Sequence, residues 1–156
     1  MPQIICKRTF LWNRDLFREE CKYLQHKLLP HPIRHMFSVE ADNSNRLIKI
    51  SWSENVSADE MRECGEQVRA LTADIRPGFR LLTDLTGLES MDPAGASYIA
   101  AMMDLFAAKQ ARLIVRVIPD PRKDIGLNIL SYFHYGSQVQ VVTYQNLRDA
   151  LQSLSA

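Results

Sequence analysis

The stretch 80–96, RLLTDLTGLESMDPAGA, constrains the fold more than any other part of the chain. The apolar run over 79–85 has the length and content of a buried strand. Asp84 follows, then Thr86-Gly87, where a glycine permits a sharp turn. Asp92 is a helix N-cap residue, and Pro93 stands at the first helical position, where its missing N–H costs nothing. The strand is therefore expected to deliver the chain to a loop over 84–93, and that loop to the exposed N-terminus of a helix. Such a terminus carries unpaired N–H groups and a partial positive charge, which suit an anion.

The remaining elements are read from periodicity. Short strands over 36–40 and 47–52 flank Asp42-Asn43-Ser44-Asn45, turn chemistry that predicts an antiparallel hairpin with Ile48, Ile50 and Trp52 on one face. Ser57 and Glu60 form a capping box, and Met61, Cys64, Val68, Leu71 and Ile75 make the inward stripe of the helix it opens. Cys64 lies in that stripe, as a packed thiol would. The helix after Asp92 carries two apolar stripes: Ile99, Met102, Met103 and Phe106, with Tyr98, Met102 and Leu105 beside them. The first is assigned to the sheet. The second, through Tyr98 and Leu105, is more apolar than a solvated face needs and suggests a partner or a second copy. Burial under the N-terminal segment accounts for it equally well.

A strand over 111–118 places Ile114, Arg116 and Ile118 on one face. Asp120-Pro121 repeats the cap-and-proline device, and Ile125, Ile129 and Phe133 are expected as the inner stripe of a third helix closed near Gly136. A fifth strand over 139–142 and a last helix with Leu147, Leu151 and Leu154 inward complete the order ββαβαβαβα. Strands joined by single helices predict an α/β fold with a mixed, mostly parallel five-stranded sheet.

Charge divides the chain. Residues 1–35 hold seven Lys/Arg against three Asp/Glu, and the remainder twelve against fifteen. The first part reads as a basic extension, either helical over 13–29 around Phe17, Cys21, Leu24 and Leu28 or an over-extended start upstream of Met36. The domain is expected over 36–156. Its mildly acidic balance argues against a nucleic-acid surface. No apolar run reaches the length of a membrane span, and the N-terminus lacks the pattern of a secretory signal. Cys6, Cys21 and Cys64 show no paired spacing, which suits reduced thiols and a cytoplasmic setting.

The run D-L-T-G-L-E-S-M-D-P-A-G resembles the signature of the STAS family, the SpoIIAA-like and anti-sigma factor antagonist-like domains, over about 36–151. That signature ends D-S-S-G, with its second serine phosphorylated. Here Asp92 and Gly95 match, while Pro93 and Ala94 occupy the serine positions, so the resemblance implies the fold without the usual phospho-switch. Ser90, Thr86 and Ser97 are the hydroxyls near it. The run V-I-P-D-P-R-K-D-I-G-L-N is similar to that of a bacterial STAS-like subgroup in which D-P-A-G is typical.

Two functions are expected from different classes. One is a non-enzymatic regulatory or scaffold domain that binds a protein partner, or its own copy, through Ser90, Met91, Asp92, Ala94, Gly95, Tyr98 and Leu105. The other is a small-ligand module holding an anionic metabolite or lipid headgroup between the 84–93 and 119–124 loops, with Asp84, Thr86, Arg122 and Lys123 as contacts. Asp92 and Asp120 read as caps. No catalytic residue, metal ligand set or cofactor motif stands out: there is no P-loop and no G-x-G-x-x-G, and His26, His31 and His35 lack ligand spacing.

Overall fold

The computed structural model describes residues 35–155. The helix expected over 13–29 and the basic stretch around it lie outside the described residues. The hairpin pairs β1 (Phe37–Asp42) with β2 (Leu47–Val56) antiparallel, from Phe37↔Trp52 to Asp42↔Leu47. Its turn closes as the Asp/Asn cluster predicts: Asn45 donates its backbone N–H and its Nδ2 to the Asp42 carboxylate at 3.0 and 2.7 Å. Ile48, Ile50 and Trp52 are buried on one side. Helix α1 (Ala58–Leu71) opens with the complete capping box and buries Met61, Cys64 and Val68. It is shorter than its apolar stripe. Thr72 ends it, and Leu71 turns partly outward.

The central strand is the first departure. β3 runs Arg80–Met91, so most of the expected 84–93 loop is strand. Its first half pairs in parallel with both β2 and β4 (Leu113–Val117). Past Asp84↔Val117 it continues beside β2 alone, from Ser53↔Gly87 to Val56↔Met91, across two register shifts. Gly87 therefore serves a close approach instead of a turn. A Cβ there would stand 3.2 Å from Ser53 Cβ, tighter than ordinary contact.

A single 3-10 turn, Pro93–Gly95, leads into helix α2 (Ala96–Ala108), and another, Pro121–Asp124, into helix α3 (Ile125–Tyr135). Gly136 ends α3 at φ 59°, as its cap position requires. Strand β5 (Gln140–Tyr144) and helix α4 (Leu147–Ser155) follow. The sheet order is β1-β2-β3-β4-β5, parallel except for the hairpin.

Helices α1, α2 and α3 lie on one face, over the main core. On the other face α4 buries Ala150 and Leu154 against Leu82, Val115 and Val117. Leu147 and Leu151 sit at the edge of that contact, more exposed than an inner stripe would be. Arg80 anchors α4 by donating to the Leu154 carbonyl.

Helix α3 is the second departure, and the larger one. Ile125, Ile129 and Phe133, expected inward, are 63%, 55% and 74% exposed. The positions facing the sheet are Asp124, Leu127, Leu130, Ser131 and Tyr135, with the exposed Asn128 reaching in from the edge. Beneath them lies Arg116, 2% exposed. Its guanidinium donates to Asp124 Oδ1 at 2.7 Å, Asn128 Oδ1 at 3.2 Å and Ser131 Oγ at 2.6 Å. Asn128 Nδ2 and Thr143 Oγ1 donate to the second oxygen of Asp124 at 2.9 and 3.0 Å. A charge on the inner face of β4 can be buried only with partners, so the helix above it brings polar groups inward among Leu127, Leu130 and Tyr135.

Candidate functional site

Two corners meet beyond the carboxyl ends of the parallel strands, where open α/β sheets place their binding surfaces. The first runs from the end of β3 into α2. Asp92 caps the turn with Oδ1 accepting the Ala94 N–H at 2.9 Å, and its own N–H donates to Val56 O at 2.9 Å. Gly95 is buried against α1. A Cβ there would stand 2.4 Å from Met61 Sδ and 3.2 Å from Ala58 Cα, so the backbone presses directly on the helix. Ser90 donates to Asn55 Oδ1, and Asn55 Nδ2 to Glu89 Oε2 at 3.0 Å. Around this fixed frame Ser90, Asp92, Pro93, Ala94, Ser97 and Tyr98 are exposed, and Met91 is half-buried.

Leu105 does not join them. It is half-buried and packed on the core, and Tyr98 is only 37% exposed. The expected second stripe of α2 is thus largely covered: Met102 is buried against Gly65 of α1 and Leu105 packs on the core, while on the other flank His134 Nδ1 of α3 reaches Asp104 Oδ1 at 2.8 Å.

The second corner holds the residues expected to bind an anion. Asp84 Oδ1 accepts the Thr86 N–H and hydroxyl at 2.9 and 2.6 Å, a local turn bond across the bulged strand. Asp120 accepts from the Arg122 backbone N–H at 3.1 Å and from its guanidinium at 3.0 and 2.9 Å. The Arg122 side-chain bonds, reinforced by its backbone N–H, pull the Asp120 carboxyl down to about 2. Lys123 reaches across to the Leu88 and Glu89 carbonyls at 3.3 and 3.4 Å, beyond the point where β4 stops pairing with β3.

A cavity of about 90 Å3 lies between the loops. Thr86, Asp120 and Lys123 line it with Leu85, Leu88 and Ile118, while Arg122 points away from it into solvent. Both 3-10 turns already hold a carboxylate of their own, Asp92 or Asp120, on the N–H groups that an anion would need.

The chemistry of the described residues is correspondingly limited. Burial pushes the Cys64 thiol up to about 12, so it stays protonated and acts as a packed apolar group. His134 is engaged with Asp104, away from both corners. No group of three or more His, Cys, Asp or Glu among the described residues is arranged to hold a metal. No described helix is long and apolar enough to cross a membrane. Under α2 and α3 a second cavity, about 50 Å3, is lined by Trp52, Met102, Phe106, Arg116 and Tyr135 among others. No buried side-chain nitrogen or oxygen among the described residues lacks a partner, so Arg116 is not free to receive a ligand there.

Sequence reasoning missed the Arg116 network and the outward apolar face of α3. The signal was present. Arg116 alternates with Ile114 and Ile118 on the inner face of its strand, and Asp124, Asn128, Ser131 and Tyr135 recur at 4, 3 and 4.

No family model and no curated protein matches the sequence. Solved structures do match. A DUF3478-family protein with a SpoIIAA-like fold from Shewanella loihica PV-4 is 14% identical, with a TM-score of 0.60 over 81% of this chain and 99% of that one. The anti-sigma factor antagonist SpoIIAA in its unphosphorylated form is 11% identical, at 0.55 over 77% and 98%. An anti-sigma factor antagonist from Mycobacterium paratuberculosis is 19% identical, at 0.51 over 82% and 100%. At these identities the likeness shows the fold. The chain has the SpoIIAA-like fold, as its sequence motif led one to expect.

Proposed function

We propose that this domain is a non-enzymatic regulatory or scaffold module that binds a protein partner through the corner 90–98, without a phospho-switch at Ala94. The observation that carries the reading is the construction of that corner. Asp92, the Gly95 contact and the pairing of β3 with β2 fix the backbone, while the outward side chains are small or polar and make no catalytic set. A surface ordered before it binds loses little conformational freedom on association, which favours specific recognition. Structural relatives described as anti-sigma factor antagonists support a protein partner. Ala94 has no hydroxyl, and Ser90, the nearest strand hydroxyl, is engaged with Asn55.

The test replaces exposed residues and leaves the core alone. Ala94→Arg with Ser97→Arg changes the corner's shape and charge at two exposed positions. Protein captured from native lysate by the full chain, identified by mass spectrometry, is expected to be lost with this double variant while its melting midpoint stays within about 2 °C of wild type. Capture that persists unchanged sinks the reading.

A further inference from the structure

We propose that a second copy of this chain packs on Ile125, Ile129, Tyr132 and Phe133 of α3, the two helices running antiparallel about a two-fold axis. The proposal is independent of the 90–98 corner. The four side chains recur at i, i+4, i+7 and i+8, which is one helix face, and they are 63%, 55%, 80% and 74% exposed. Tyr132 and Phe133 already touch edge to face, with ring centroids 5.6 Å apart. The outward direction of this face is fixed. The opposite side of α3 is held on Arg116 through Asp124, Asn128 and Ser131, so the helix cannot roll its apolar residues inward without breaking a buried charge pair.

Three features point to a second copy. Near a two-fold axis each residue meets its own duplicate, so a charge there would repel itself. From Ile125 to Phe133 the helix carries no charged side chain. Its two ends differ: Lys123 precedes the first turn beside the mutually paired Asp120 and Arg122, and Asp104 stands at the last turn, held by His134. Antiparallel packing sets Lys123 of each copy against Asp104 of the other and opposes the helix dipoles favourably.

The area is sufficient. With two mostly exposed aromatics and two isoleucines, the face removes roughly 500 Å2 per copy, about 1,000 Å2 in all, the lower limit of a specific interface. Such a dimer is a weak one. An anionic bilayer fits less well, because residues 36–156 hold fifteen Asp/Glu against twelve Lys/Arg, and Asp104 and Asp120 flank the face.

Sedimentation of the full chain from about 1 to about 200 μM is expected to show mass rising from 17.9 kDa toward twice that value. Ile129→Ser with Phe133→Ser should weaken association more than tenfold and leave the melting midpoint of the dilute protein unchanged. Asp104→Lys should weaken it also, and adding Lys123→Glu should restore it, which a purely structural role for either residue would not produce. A mass of 17.9 kDa at every concentration overturns the proposal. So does association that survives Ile129→Ser/Phe133→Ser, or flotation of a monomeric protein with phosphatidylserine vesicles that this double variant abolishes.

Discussion

Helices α2 and α3 lie side by side on the same face of the sheet and are built differently. α2 follows the usual rule: Ile99, Met102, Met103 and Phe106 point inward and are buried. α3 departs from it: Asp124 and Ser131 face inward beside Leu127, Leu130 and Tyr135, Asn128 reaches Arg116 from the edge, and Ile125, Ile129, Tyr132 and Phe133 face outward. The difference originates in the strands below. α2 covers apolar residues of β2 and β3, whereas α3 covers Arg116 of β4. Periodicity reveals that a helix has an apolar stripe, but the side that faces the protein is decided by what the sheet offers. Where the sheet offers a buried cation, polar partners win that side, because an unpaired buried charge costs far more than an exposed isoleucine.

The widest test of this contrast compares two phenylalanines. Phe106 of α2 is 2% exposed and stacks edge to face with Phe79. Phe106→Ala should lose about 3–5 kcal/mol of stability, through lost burial and the cavity left behind. Phe133→Ala, at 74% exposure, should change the stability of the dilute protein by less than about 0.5 kcal/mol. Urea titration of both measures the gap. Equal losses would mean that Phe133 belongs to a core and that α3 faces inward as its sequence stripe suggests.

Most of the fold was legible because its local signals agree with its packing. The Asp42–Asn45 turn, the Ser57–Glu60 capping box, the Asp92 and Asp120 caps and the Gly136 terminus all stand where sequence placed them. The errors share a cause. Thr86–Met91 looks like a loop, rich in turn residues, yet tertiary pairing with the far end of β2 makes it strand. The stripe of α3 looks like a core, yet Arg116, eight residues before Asp124, turns it outward. Neither outcome is visible in a window of one element. Of the site, Asp92 was legible as a cap, whereas the close approach of Gly95 to α1 required the folded chain. The separation of Lys123, which bridges to β3, from Arg122, which pairs with Asp120, required the folded chain.

A second test addresses the inward side of α3. Asp124→Asn keeps the shape of the side chain and removes the charge that balances Arg116, so stability should fall by about 1.5–3 kcal/mol, the usual worth of a hydrogen bond to a charged group. Arg116→Met alone strands Asp124 and should cost about 3–5 kcal/mol. Combining the two should cost less than the sum of the singles, since each removes the other's partner. Strict additivity would show that the pair is not coupled and that α3 is held by something other than Arg116.

The smallest expected effect concerns the polar devices at the helix entrances, compared between α1 and the turn before α3. At α1 the Ser57 backbone N–H donates to Glu60 at 2.8 Å and holds its carboxyl below the usual glutamate range. Before α3 the Arg122 guanidinium does the same for Asp120, to about 2. Both groups have a lowered pKa in the folded chain, so each stabilises the fold fully above its unfolded value, near 4, and the contribution disappears as pH falls through the folded value. The melting midpoint should therefore be insensitive to these groups between about pH 6 and 8 and should decline below about 4.5. Glu60→Gln should flatten the upper part of that decline. Asp120→Asn should flatten the lower part, which extends to about 2. Because both carboxylates are close to solvent, each contribution is modest and screened by salt. If Asp120→Asn leaves the limb between pH 4 and pH 2 unchanged in low salt, the Asp120–Arg122 pair does not persist in solution, and the entrance to α3 depends on the Arg116 network alone.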